Sequence, residues 1–108
     1  MRFGAFINTL DEIDVLPAAI EHLRAIGVEI TWVMDYGSSD ETIAYLAEAE
    51  AAGDLWVIHV SPTDPDETVD RLKLRLALAA GVDWVLFLDS DEFWLPATGS
   101  LADLELLE

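Results

Sequence analysis

The chain has 108 residues, 53% of them hydrophobic, with four Trp and four Phe; that suffices for a single core and excludes a disordered tail. Its 22 acidic residues stand against five Lys plus Arg, a net charge of −17, so nucleic acid and anionic membrane surfaces are repelled while divalent cations are attracted. The absence of cysteine excludes disulfides and thiolate metal sites.

In chain order, Phe3 to Ile7 is a short apolar run ended by the polar stretch NTLDE and reads as a buried strand. Ile13, Leu16, Ile20, Leu23 and Ile26 then recur at three- and four-residue steps, which predicts a helix of about four turns with Pro17 near its start and Gly27 as its C-cap. Glu29 to Met34, rich in β-branched and aromatic residues, is a second strand ending at Asp35 and the turn YGSS. Ser39 is placed to N-cap a second helix whose core stripe would be Ile43, Leu46, Ala47 and Ala51, closed by Gly53. Leu55 to Val60 is a third strand.

Asp64, Pro65 and Glu67 stand in the order of an N-cap, first helical residue and capping-box acid. They predict a third helix running to Ala80, with Gly81 as its cap, a core stripe of Leu72, Leu76 and Ala79, and Leu74 and Leu78 on the opposite side. RLKLRLAL also alternates with period two, but the capping signals and the Ala-rich end favour helix. Asp83 to Leu88 is a fourth strand. Trp32, Trp56 and Trp84 are assigned to the core, His22 and His59 to structural roles. Arg71, Lys73 and Arg75 share the third helix, where they either reach a phosphate or offset neighbouring acids, the second being favoured.

Strands alternating with helices at this spacing predict parallel pairing with right-handed crossovers. The expected fold class is therefore α/β, a three-layer α/β/α single domain with an open, mostly parallel, Rossmann-like sheet. Leu76 to Leu88, the longest apolar-rich run, is broken by Asp83 and falls short of the roughly 18 residues of a membrane span. The start, MRFGAFINTLDE, has too short an apolar run for a signal peptide. A soluble, cytoplasmic protein is expected.

In sheets of this kind ligands sit at the carboxyl ends of the strands, and the polar clusters Asn8 to Glu12, Asp35 to Asp40 and Asp89 to Glu92 all fall at such ends. Asp89 and Asp91, two residues apart just past a strand, form an oxygen-only D-x-D pair suited to Mg²⁺ or Mn²⁺. Taken alone, a D-x-D is a common pattern, and the favoured reading is a turn cap with solvated neighbours.

VLPAAIEHLRAIGV after the first strand, then WVMDYGSSDET, then DWVLFLDSDEFWLP together resemble the amino-terminal half of a GT-A-fold glycosyltransferase of the family 2 type. The resemblance implies transfer of a sugar from a nucleotide-diphosphate donor to an acceptor it does not identify, with Mn²⁺ or Mg²⁺ holding the diphosphate. By position, Asp35 would bind the nucleotide base, with Ser38 beside it in the same turn. Asp89 would lie near the ribose and the metal, Asp91 would be a direct metal ligand, and Ser90 falls between them. The family's Asn-Glu after the first strand is spread here over Asn8 and Glu12, so both are candidates for the nucleotide pocket, and its DGT is DET, with Glu41 in place of glycine. Such enzymes continue past the D-x-D into a part that binds the acceptor and supplies the base, so no catalytic residue is assigned. The alternative function is a non-catalytic nucleotide- or metal-binding or regulatory module, or a fragment inactive on its own. Trp94 is either a stacking platform or a core residue. Exposed Leu74 and Leu78 imply a covering surface, be it a carboxyl-terminal half, a second subunit in a homo-oligomer, or the segment SLADLELL with leucines at 101, 104 and 107.

Overall fold

The computed structural model describes residues 1–89, Asp40 by its backbone alone. Seven elements alternate: β1 (Phe3–Thr9), α1 (Leu16–Ile26), β2 (Ile30–Asp35), α2 (Asp40–Ala51), β3 (Trp56–His59), α3 (Asp66–Ala80) and β4 (Trp84–Asp89). The strands form one all-parallel sheet in the order β3-β2-β1-β4. The chain thus steps outward from β1 to β3 and then crosses back, through α3, to lay β4 on the free side of β1. Right-handed crossovers in opposite directions put their helices on opposite faces. One core joins α1 and α2 to Phe3, Ala5, Ile7, Val33 and Leu88. The other joins α3 to Phe6, Trp32 and Met34. This is the three-layer α/β arrangement that the alternation predicts.

Central and edge strands differ in burial. β1 and β2 are buried almost without interruption because both of their faces are covered. β3 and β4 stand at the edges and are half-buried or exposed at all positions but Leu88. Two of the three tryptophans assigned to the core are corrected on this account: Trp32 is buried, but Trp56 on β3 is 62% exposed and Trp84 on β4 is 51% exposed. Phe87, also on β4, is 60% exposed.

Helix α1 begins at Leu16, three residues later than the periodicity suggests, because the Glu12 carbonyl accepts from the Val15 and Leu16 N–H groups in a preceding turn. Ile13 therefore lies outside the helix. Gly27 and Gly81 end α1 and α3 in the left-handed conformation expected of them. The stripe of α2 is rotated from the expected one. Thr42, Leu46 and Ala49 are buried, whereas Ile43 is 41% exposed and Ala47 and Ala51 face outward. A buried threonine, invisible to a count of apolar residues, sets that phase.

In α3 the capping box does not form. Pro65 is the N-cap, Asp64 accepts from the Ser61 N–H at 2.9 Å, and Glu67 pairs with Arg71 at 2.8 Å one turn on. The inner face is Val69, Lys73, Leu76, Ala77 and Ala80 rather than the expected Leu72, Leu76 and Ala79. Lys73 is buried on its aliphatic stem, with its ammonium 5.6 Å from the centre of the Phe87 ring. Leu74 and Leu78 are exposed, as the helical phase requires. No helix of the described residues is long and apolar enough to cross a membrane.

Candidate functional site at the carboxyl edge of the sheet

Each strand ends in a polar residue. Parallel pairing brings these ends together: Thr9, Asp35 and His59 are in register across β1, β2 and β3, and Asn8 is in register with Asp89 across β1 and β4. Side chains alternate along a strand. Thr9, Asp35 and His59 therefore share the α1/α2 side with Ile7 and Val33, and Asn8 and Asp89 share the α3 side with Phe6.

On the α3 side a cavity of about 380 Å³ opens at this edge, lined by Asn8, Leu10, Glu12, Tyr36, Pro62 and Asp89 together with Thr9. It lies where the strand order reverses between β1 and β4, the place where open α/β sheets bind ligands, and its size is in the range of small-molecule sites. A second hollow of about 310 Å³ lies elsewhere, beside the Arg24–Asp54 ion pair, and holds none of the candidate residues.

Asn8, Glu12 and Asp89 are thus brought round one cavity. Asp35 and Ser38 are not among its lining residues. Asp35 is 1% exposed; its Oδ1 accepts from the Ser38 N–H at 3.2 Å and its Oδ2 lies 3.3 Å from His59 Nδ1. Ser38 Oγ accepts in turn from the Asp11 N–H at 3.0 Å. Ser90 and Asp91, the other two candidate residues, lie outside the described residues, as do Trp94 and SLADLELL.

Two features of this edge have little local signal in the sequence. His59 contacts Asp35 across 24 residues, a pairing that follows from sheet order and not from periodicity. Tyr36 lines the cavity; burial, then the charges of Asp66, Asp70, Asp64 and Asp89, push its phenol above the ordinary value, so it stays a neutral donor.

Asn8 Oδ1, Thr9 Oγ1 and Thr42 Oγ1 are buried without a hydrogen-bond partner among the described residues. Asn8 is in register with Asp89, but its amide oxygen is buried; the carboxylates that line the cavity are those of Glu12 and Asp89, a ligand type that suits a hard divalent cation rather than zinc. Among the described residues no group of three or more His, Cys, Asp or Glu converges to hold a metal.

The loop after β1 is tied to the N-terminus of α2. Asp11 takes a left-handed backbone conformation, φ 52°, which aspartate tolerates, and its carboxylate accepts from the Ser39 N–H. Ser39 is the N-cap residue but makes no side-chain cap bond of its own. The Ser39 backbone bond, then its hydroxyl, holds the Asp11 carboxyl below its ordinary value of 3.8. A depressed carboxyl stabilises the fold above its unfolded pKa, and that contribution is lost as pH falls through the lower, folded value. The stability difference between wild type and Asp11→Asn is accordingly expected to shrink below about pH 4, measured as melting temperature against pH. A difference that widens in acid would contradict the cap.

No protein-family model matches the chain, and no curated protein is significantly similar to it.

Proposed function

We propose that this chain is the nucleotide-sugar-binding unit of a metal-dependent glycosyltransferase of the family 2 type, passing a sugar from a nucleoside-diphosphate donor to an acceptor. The observation that carries the reading is the cavity at the strand-order reversal, where Asn8, Glu12 and Asp89 from two neighbouring strand ends meet. Its support is the order of three motifs along the chain and the position of Asp35 and Asp89 at the carboxyl ends of their strands.

In this reading Asp89 and Asp91 hold Mn²⁺ or Mg²⁺. When bound, the cation neutralises the diphosphate and the charge that develops on the departing nucleotide. The side chains divide the remaining work. Asn8 lines the cavity, and Asp89 stands at its ribose end. Leu10, Tyr36 and Pro62 supply an apolar wall that limits water. With 22 acids and five bases this surface would repel a bare diphosphate, so a cation that arrives with the donor accounts for the scarcity of Lys and Arg. Leu74 and Leu78 belong to a surface covered by further chain or by a second subunit.

Calorimetric titration of nucleoside diphosphates into wild type and Asp91→Asn, each with and without Mn²⁺, tests the reading. Binding is expected only with metal and only in the wild type. Indifference to both metal and substitution would remove it.

A further inference from the structure

A hollow of about 310 Å³ lies between α3 and β4, lined by Val85 and Phe87 from the strand and by Lys73, Leu74 and Ala77 from the helix, with Asp70 beside them. The apolar surface continues past it. Leu74 and Phe87 are each 60% exposed, and Leu78, one turn along the helix from Leu74, is 72% exposed. Single exposed leucines are ordinary, but large side chains grouped about one hollow mark a surface that something covers.

The topology says from where the cover comes. β4 is the edge of the order β3-β2-β1-β4, and among the described residues no strand pairs with its outer side. α3 is the crossover that carries the chain to β4 from the β3 side, and it packs on the face of Phe6, Trp32 and Met34. Right-handed crossovers that run in the same direction put their helices on the same face. Chain that continues outward from β4 is therefore directed onto the α3 face, beside the hollow.

We infer that the occupant of this surface is the chain's own segment SLADLELL, residues 100–107. Its leucines at 101, 104 and 107 recur at three-residue steps, a spacing at which side chains can share one face, and they meet Leu74, Leu78 and Phe87. The ten residues from Ser90 to Gly99 link the segment to β4. They reach up to about 33 Å, more than the roughly 20 Å of a six-residue strand that they must run back along. Charge selects the same place. Asp103 and Glu105 are repelled by most of a surface of net charge −17. α3 carries three of the five bases, and Lys73 and Arg75 form no ion pair among the described residues, whereas Arg2 and Arg24 are taken by Glu29 and Asp54. Exposed ion pairs contribute little energy, so the leucines hold the segment and the bases set where it lies. A second copy of the chain would bring its own excess of acid to the contact and is disfavoured.

The chain has no cysteine, so introduced thiol pairs report contact without background. Leu74→Cys and Leu78→Cys, each combined with Leu104→Cys in the full chain, exchange exposed side chains of α3 and leave its core face intact. Mild oxidation is expected to give a disulfide within one chain. Ile43→Cys with Leu104→Cys, which puts the first thiol on α2 across the sheet, should give none. In a second measurement the lone thiol of Leu78→Cys is expected to react with maleimide roughly tenfold slower than in the same chain carrying Leu101→Glu and Leu104→Glu, the protection of a contact closed about nine-tenths of the time. A disulfide between two chains assigns the surface to a second copy and overturns the inference. So does the absence of any disulfide within one chain, equal cross-linking of the Ile43→Cys pair, or a maleimide rate that the two glutamates leave unchanged. None of these outcomes bears on the nucleotide reading.

Discussion

Phe6→Ala is expected to remove about 3–5 kcal/mol of folding stability, the range for deleting a buried aromatic ring. Phe6 is 1% exposed in the middle of β1, the strand flanked on both sides. Its ring stacks on Trp32 at 4.5 Å between centroids and on Phe87 at 5.7 Å, with interplanar angles of 13° and 12°. The three rings run across β2, β1 and β4 and form the floor on which α3 lies. The space left by the ring would not refill easily, because Phe6 already borders a hollow of about 310 Å³ shared with Lys73, Leu74 and Phe87. Small domains hold only about 5–15 kcal/mol in total, so the loss takes a large share of the fold's margin. Urea unfolding checks it: the midpoint should fall steeply with an unchanged slope. A loss under about 1 kcal/mol, the scale of a surface substitution, would mean that the stack bears little of the core's energy.

The same stack shows where sequence and structure part company. The elements themselves are local matters. The period of Leu16, Ile20 and Leu23, the cap at Gly27 and the apolar runs at Phe3 and Trp84 each depend on a few consecutive residues, and the structure has all four strands and all three helices. What a strand's neighbours will be is not local. Trp56 and Trp84 sit in runs as apolar as the one around Trp32, and only the order β3-β2-β1-β4 leaves their strands at the edges with a face open. Lys73 and Thr42 mislead in the opposite direction. Each is polar in type yet buried, one on its aliphatic stem and the other as a small side chain near a helix start, and each turns the phase of its helix away from the apolar count. At the site, placing acids at strand ends needed only the strand boundaries. That Asn8 would face Asp89 while Asp35 turns to the other side and meets His59 required the register. The cap of α2 is a mixed case: Ser39 is the N-cap residue that its type suggests, but the oxygen that receives its N–H comes from Asp11, 28 residues back.

Gly4 shows the same limit from the side of packing, and its replacement has the second large expected effect. A glycine inside a central strand is ordinarily a weakness, and valine there should gain up to about 1 kcal/mol from strand propensity. Here a Cβ would stand 2.8 Å from Trp32 Cζ3 and 3.2 Å from Val82 Cγ1. Neither neighbour is free to give way, since Trp32 is buried and stacked on Phe6 while Val82 packs in the same core. Gly4→Val is therefore expected to destabilise by about 1–3 kcal/mol, the usual cost of overpacking, and Gly4→Ala by less. A double-mutant cycle with Trp32→Leu separates this clash from any general effect on β1. With the indole ring gone the valine should cost little or become favourable, and the coupling between the two positions should account for most of the single-mutant loss. Additive losses would show that the indole is not what requires a glycine at position 4.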